Sequence, residues 1–505
     1  TENFNGFLQD VNIWKVESTQ NGIEITIDSK GQNIKEIIMN QFVLSVKNSQ
    51  GEYIVASNVV NISNPEAIAT NTAETFKASS KKGIQGVSFA SDSKEAAENI
   101  HNARYTNTKQ TLLNLDIASV VGQGEAPGYV PYEYKGKTYY FSDCADMVAN
   151  VRSLNAGYTQ YLYENDGNTK VSVSVCLLLS DDNAATNYLI DPAARRPGHA
   201  YYMLNVREED ARETLEALFL YLGELFGQSD CYVTNWILGN EINSSNAWNY
   251  NGGMDFNTYM ECYATAFRLL YNGVKATKTG NNVCISLDNG WCAAPDTYPG
   301  KTTLDVFAEK IHAQNPNIDW SIAYHPYSYP LTRVDFWNDY SNTADSVSTP
   351  YISMRNIEVL TNYVGALENA YGKDTGSIRV LLTEQGFSAT GGSYVQGQAL
   401  AWAYYKAEFN PRIDAFIIRA LVDDWAEMQG GLYMGIMNIY QEKRTAYYVY
   451  EHMDSDLSRF NMKQAEDFVS QPNYGKFDEA KSIVCDTNWE FIVPNFDAVR
   501  LAQIK

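Results

Sequence analysis

Two glutamates at the ends of apolar runs hold the chemistry that this chain offers. Thr234-Asn235-Trp236-Ile237-Leu238-Gly239-Asn240-Glu241-Ile242-Asn243 reads as a buried strand that runs into an Asn-Glu pair and then a polar loop. Arg379-Val380-Leu381-Leu382-Thr383-Glu384-Gln385-Gly386 ends in the same way. A carboxylate at a strand end with a loop behind it is where a barrel enzyme keeps its catalytic groups. Two such glutamates are the minimum for hydrolysing a glycosidic bond, since one carboxyl must protonate the leaving oxygen while the other attacks the sugar or activates water.

The elements that must position them follow a repeating order. From about Phe7 to Ser63 the pattern is short and β-rich, with Val11–Val16, Gly22–Ile27, Phe42–Val46 and Tyr53–Ala56 as candidate antiparallel strands of a small sheet. A polar stretch, Ser79-Ser80-Lys81-Lys82-Gly83, then marks a boundary, giving an N-terminal β-rich domain over 1–78 and a second domain over 79–505. Candidate strands of the second domain are Ile84–Phe89, Leu112–Ser119, Val171–Leu179, Asn235–Asn240, Val283–Asp288, Trp320–His325, Ile378–Thr383 and Ala415–Leu421. Between them lie helical patterns such as Leu215, Leu218, Phe219, Leu222 and Phe226. Alternating apolar strands and helices imply a parallel sheet, and eight such units favour a closed (β/α)8 barrel, an α/β fold with every strand C-terminus on one face. Ala200–Leu204 is an alternative early strand that would renumber only the first three. Segments after Arg444 and through Trp489–Val493 are expected to brace the barrel as a helical tail.

In this order Glu241 ends the fourth strand and Glu384 the seventh, facing each other across the mouth. Leu238-Gly239-Asn240-Glu241 with Leu382-Thr383-Glu384, and His325-Pro326-Tyr327 after the sixth strand, resembles clan A of the glycoside hydrolases, a clan of retaining TIM-barrel enzymes. The likeness spans roughly Gly83 to Tyr450 in architecture; each motif is short, and it is their order on the correct strands that gives them weight. The resemblance implies that Glu241 is the general acid/base and Glu384 the nucleophile. It also implies that Tyr327 hydrogen-bonds the nucleophile and Asn240 the sugar 2-hydroxyl. His325 alone is as compatible with a structural histidine as with a substrate contact. Two positions depart from the clan. Many members carry an Arg after the second strand to bond the nucleophile, whereas Leu113-Asn114-Leu115-Asp116-Ile117-Ala118-Ser119 has none, so another cation, or hydroxyls and amides, must serve, and Asp116 is free to bind a sugar hydroxyl. The clan also favours a Trp after strand eight, for which Trp425 is the nearest candidate.

The loops on the presumed active face are long and aromatic. They offer Tyr129, Tyr132, Tyr134, Tyr139 and Tyr140 after strand two, His199, Tyr201 and Tyr202 after strand three, Trp248 and Tyr250 after strand four, and Trp291 after strand five. Such rings suit sugar subsites, and His199, Tyr201, Trp291 and Trp425 join Asn240, His325, Tyr327 and Asp116 as candidate substrate contacts. For any single ring, packing is the commoner fate.

Composition narrows the partners. The 505 residues carry a formal charge of −22 from 38 basic and 60 acidic side chains, which repels nucleic acid and anionic membranes and suits a neutral ligand such as a carbohydrate. The 36 Tyr, 9 Trp and 20 Phe supply rings for stacking on sugars. Seven cysteines form no C-x-x-C pair and read as small hydrophobes. No run reaches the roughly 18 apolar residues of a membrane span. Gly122-Gln123-Gly124-Glu125-Ala126-Pro127-Gly128 has the wrong spacing and context for a dinucleotide loop, and no metal or cofactor motif is present or needed. The chain begins at Thr1 without a signal peptide, so a mature form is expected, secreted or at the cell surface. The leading expectation is a retaining hydrolase of β-glycosidic bonds in a glycan or oligosaccharide. A non-catalytic carbohydrate-binding barrel and an inverting hydrolase are the alternatives.

Overall fold

The computed structural model describes residues 13–19, 22–27, 33–87, 106–157, 170–294 and 296–454. Eight parallel strands close into a barrel: β1 Lys82–Gln85, β2 Gln110–Asp116, β3 Ser172–Leu178, β4 Asn235–Leu238, β5 Asn282–Leu287, β6 Ser321–Tyr324, β7 Val380–Gln385 and β8 Ile413–Ile418. Each pairs with its neighbours in sequence, and β8 closes on β1 through Phe416 beside Lys82 and Ile418 beside Ile84. All eight expected strands are therefore found, and the expected ends of the first lie partly outside the described residues. Ala200–Leu204 is not a barrel strand; Tyr202 and Leu204 make single bridges to Tyr250 and Ile190.

The alternation that marked these strands sorts their side chains between two cores. Leu112, Cys176, Leu178, Ile237, Cys284, Ala323, Leu381, Ala415 and Ile417 fill the barrel interior as one cluster. The intervening residues, such as Val173, Val175 and Leu177, face the helices in a second, larger core. The interior is narrow: a Cβ on Gly83 of β1 would stand 2.7 Å from the Ile417 side chain and 2.9 Å from the Gln110 carbonyl oxygen. A packed interior closes the barrel below and leaves chemistry to its C-terminal rim.

The longer helices, of eight residues or more, are α1 Ala145–Ala156, α2 Glu209–Leu225, α3 Phe256–Lys275, α4 Gly300–Gln314, α5 Ile357–Ala370, α6 Ser393–Phe409 and α7 Thr445–His452. The apolar recurrence that predicted α2 is its buried face, which includes Leu215, Leu218, Phe219 and Leu222. α2 and α3 touch backbone to backbone where Gly223 meets Gly273, a Cβ at Gly223 falling 2.5 Å from the Gly273 carbonyl oxygen. The tyrosine-rich loop after β2 is a hairpin, Tyr129–Tyr134 against Lys137–Ser142, laid on α2. Its Tyr134 hydroxyl donates to Glu216 at 2.9 Å and Tyr132 packs edge-on against Tyr221, so these two rings are packing, not sugar subsites.

The N-terminal residues form three two-stranded antiparallel ribbons instead of one sheet: Ile13–Thr19 with Gly22–Ile27, Gln41–Phe42 with Val60–Asn61, and Ser45–Lys47 with Tyr53–Val55. Between them a helix, Ile34–Met39, buries Ile37, Ile38 and Met39. Ile38 and Met39 join the outer core of the barrel, and Asn272 of α3 donates to the Ile38 carbonyl at 2.6 Å. Asn61 and Asn71 add hydrogen bonds of 2.9 Å to the carbonyls of Gln314 and Gly227. The expected tail at Trp489–Val493 lies outside the described residues, while α7 follows Arg444 as expected. Cys176, Cys231, Cys262 and Cys284 are buried thiols; Cys144 is half-buried, Cys292 is exposed, and Cys485 lies outside the described residues.

Candidate active site

The rim gathers one polar residue from strand after strand. β4 ends at Leu238, and Gly239 then turns with φ +70°, a conformation open to glycine at little cost. Glu241 follows with φ +40°, in the left-handed region that a side chain of its size seldom adopts. Backbone of this kind costs on the order of 1–3 kcal/mol and persists where surroundings enforce it. Here β5 does so: the Glu241 N–H donates to Ser286 Oγ at 2.9 Å and the Ile242 N–H to the Ser286 carbonyl at 3.1 Å. The turn aims the Glu241 carboxyl back over the barrel mouth.

That carboxyl meets His325 at the end of β6, with Oε1 2.7 Å from Nδ1. The imidazole is 2 % exposed and its Nε2 lies 3.2 Å from Thr383 Oγ1 on β7. His325 Nδ1 is also 3.9 Å from Glu384 Oε2, so one ring nitrogen stands between the two glutamates. Glu384 sits where the pairing of β7 with β8 shifts register between Leu382 and Gln385, an irregularity of the kind that re-aims a side chain at a rim. Its Oε1 accepts the Tyr327 hydroxyl at 3.0 Å.

The two carboxyls occupy different environments. Burial pushes Glu241 up to about 7, with the charges of Asp288 and Glu384 adding to it and His325 opposing. Asp288 directly follows β5 and is itself pushed up by burial, while Ser244 Oγ donates to it at 2.6 Å and the Gly290 N–H at 2.8 Å. For His325, burial disfavours the charged ring. The hydrogen bond to Glu241 and the charges of Glu384, Glu241 and Asp288 outweigh it, and the ring is raised overall. Glu384 faces a cation instead: Arg419 Nε is 3.8 Å from its Oε1.

The expected contacts divide into those that reach this cluster and those that do not. Glu241, Glu384, His325 and Tyr327 form it directly. Asn240 is half-buried beside Glu241 at the rim. Tyr201 is half-buried against the interior cluster. Burial chiefly raises its phenol. Trp425 is 64 % exposed at the start of a short helix, Trp425–Gln429.

One expectation is overturned, that for Trp291, while Asp116 and His199 are half-buried with partners in the protein. Trp291 is fully buried, with Nε1 donating to the Val347 carbonyl at 2.9 Å and its ring edge-on to Tyr363, so no face remains for a sugar. Asp116 caps the turn at Ala118 and accepts Ser180 N–H at 3.0 Å and Ser180 Oγ at 2.5 Å. It ties β2 to the end of β3. His199 stacks on Tyr250 with ring centroids 3.4 Å apart and its Nδ1 lies 3.1 Å from the Asn246 carbonyl, which joins two loops to each other.

Arg419, Asp288, Ser286 and Thr383 were missed as site residues. A signal existed for Arg419: Ala415, Ile417 and Arg419 share the parity of β8 that faces the barrel interior, and a charge on that face at a strand end belongs to the mouth. Among the described residues no group of three or more His, Cys, Asp or Glu is placed to hold a metal ion, and no helix is long and apolar enough to cross a membrane.

Solved structures with a similar arrangement include a monomeric β-xylosidase from Caulobacter crescentus, at 13 % identity over 76 % of this chain and 69 % of that one, with a TM-score of 0.44. A β-glucosidase from Pyrococcus furiosus matches at 12 % identity over 74 % and 86 % of the two chains, with a TM-score of 0.44. A family 1 β-glucosidase from Thermotoga maritima matches at 13 % identity over 73 % and 86 %, with a TM-score of 0.42. No curated protein matches the chain. Residues 74–476, which span the barrel and every site residue named above, match the family of unknown function DUF5722, and the chain belongs to that family.

Proposed function

We propose that the protein is a retaining β-glycosidase acting on a glycan or oligosaccharide. The observation that carries this reading is the single nitrogen of His325 that stands 2.7 Å from Glu241 and 3.9 Å from Glu384. Those two carboxylate oxygens can be no further apart than the sum of the two distances, and only if all three atoms were collinear. A bound of that size on one oxygen pair accommodates the ~5–5.5 Å separation of the carboxyl groups in retaining enzymes.

The roles follow from the environments. Glu241, raised by burial, keeps its proton near neutral pH and delivers it to the leaving oxygen. Glu384, held by Tyr327 and facing Arg419, attacks the anomeric carbon; the glycosidic C–O bond breaks as the glycosyl-enzyme ester forms. Once Glu384 is esterified its charge is gone. Glu241, now a carboxylate, takes a proton from the water that releases the sugar with retained configuration. Asn240, at the rim beside Glu241, is the candidate partner of the sugar 2-hydroxyl, a contact that strengthens as the oxocarbenium-like transition state develops. The rings of Tyr201 and Trp425 are the candidate stacking surfaces.

A panel of aryl β-glycosides tests the reading, with intact protein analysed by mass after incubation with a 2-deoxy-2-fluoro analogue of any sugar turned over. The expected result is release of the aryl group and a covalent adduct mapped to Glu384. Carbohydrate binding without turnover across the panel and across natural β-glycans would instead identify a non-catalytic binding barrel.

A further inference from the structure

We infer that Arg419 is the residue that positions and compensates the Glu384 carboxylate, and that Glu427 on the loop after β8 draws on the same guanidinium. The inference rests on the reading of Glu384 as nucleophile. The Arg419 N–H donates to the Gln385 carbonyl at 2.8 Å, which extends the β7–β8 ladder and sets the arginine alongside Glu384. Its Nε is 3.8 Å from Glu384 Oε1; among the described residues, only this group and His325 put a positively ionisable nitrogen within 4 Å of that carboxylate. The position on β2 from which a cation would otherwise reach the mouth is Asn114, which is neutral.

The guanidinium is held on two further sides. Its Nη1 donates to Gln85 Oε1 on β1 at 3.0 Å and its Nε to Glu427 Oε1 at 2.6 Å. Its side chain is 27 % exposed, so the charge is largely removed from water, and Coulomb attraction at such sites exceeds that at the open surface. Arginine stays protonated at any working pH, so the compensation is constant. Glu427 belongs to the short helix that begins with the exposed Trp425. One arginine thus links the loop that carries the candidate sugar platform to the nucleophile, and its charge is divided between two carboxylates.

The division predicts a coupling that can be measured without catalysis. In a double-mutant cycle of Arg419→Met with Glu384→Gln, read as urea midpoints of the full chain, Arg419→Met should destabilise the protein more in the wild-type background than in the Glu384→Gln background. The cost of stranding Glu427 is common to both arms and cancels. Repeating the cycle in a Glu427→Gln background should enlarge the coupling, because the guanidinium then serves Glu384 alone. On an aryl β-glycoside that the wild type turns over, Arg419→Met should lower kcat by about 100-fold with KM little changed, and Arg419→Lys should recover part of the loss. Zero coupling overturns the inference whatever the activity, as does a variant whose KM rises while kcat is kept, which would make Arg419 a substrate contact. Coupling in a protein that turns over no glycoside supports the pairing and overturns the glycosidase reading instead.

Discussion

Glu241→Gln keeps the shape of the side chain and removes its charge, so it isolates what ionising a buried carboxyl costs the fold. In the wild type, burial is the main reason that this group titrates at about 7 instead of 4.5. The folded state therefore binds the proton more tightly than the unfolded chain does. Stability from this source is complete below 4.5, declines as pH rises, and is exhausted once pH passes about 7. At about 1.4 kcal/mol per unit, the decline between about pH 5 and about pH 8 comes to about 3 kcal/mol, less whatever share His325 offsets by carrying the opposite charge. The Gln variant is neutral throughout and lacks this decline. Urea midpoints of the two proteins should lie close together at the acid end of that window and separate towards its alkaline end, with the variant the more stable. Parallel curves would mean that Glu241 is already ionised at the acid end, and a carboxylate ionised there cannot be the proton donor. In the wild type the same ionisation should set the alkaline limb of kcat/KM near 7 for substrates with poor leaving groups.

Glu384→Gln should abolish turnover and leave the urea midpoint near that of the wild type, because the side chain stands on the rim, 18 % exposed, outside both cores; wild-type-like activity would remove Glu384 from the mechanism. Glu241→Ala should accumulate the glycosyl-enzyme from an activated aryl glycoside, and azide, which needs no general base, should release a glycosyl azide of retained configuration; an inverted azide would refute the acid/base assignment. Trp291→Ala should cost about 3–5 kcal/mol of stability, as large cavities in a core do, whereas Trp425→Ala should weaken binding of oligosaccharides with little change in stability; the reverse pattern, read by urea titration and calorimetry, would exchange their roles. A chain that starts at Ser79 should keep its kcat on a small substrate but unfold at lower urea, because the barrel loses the cover of Ile38 and Met39 on its outer core; an undiminished urea midpoint would show that those contacts contribute nothing.

Periodicity and order made the barrel legible from the sequence. Eight apolar runs alternating with helical patterns leave a parallel sheet few ways to close, and two Glu at the ends of the fourth and seventh runs must then share a rim. His325 and Tyr327 could be read with them because His325-Pro326-Tyr327 after the sixth run resembles the clan A pattern. The small N-terminal elements were less legible. Ile34–Met39 is a helix that sequence reading passed over, since six residues hold too few turns for their period to show, and its stability comes from docking on α3.

Local sequence did not decide which side chains among equals reach the site. Trp291 and Trp425 both sit in loops behind barrel strands, yet one is closed over by the Val347 and Tyr363 segments and the other stays open to water. Asp116 carries a carboxylate at a strand end, as Glu241 does, but it accepts Ser180, just past the end of β3. The cation opposite Glu384 comes from β8, which closes the barrel beside β7, so its place exists only once the circle is complete. Residue type and spacing along the chain thus fixed the barrel, its rim and the two carboxyls, because these follow from backbone periodicity. The raised titration of Glu241, the arginine beside Glu384 and the fate of each aromatic ring depend on burial and on partners distant in sequence, and those quantities exist only in the tertiary structure.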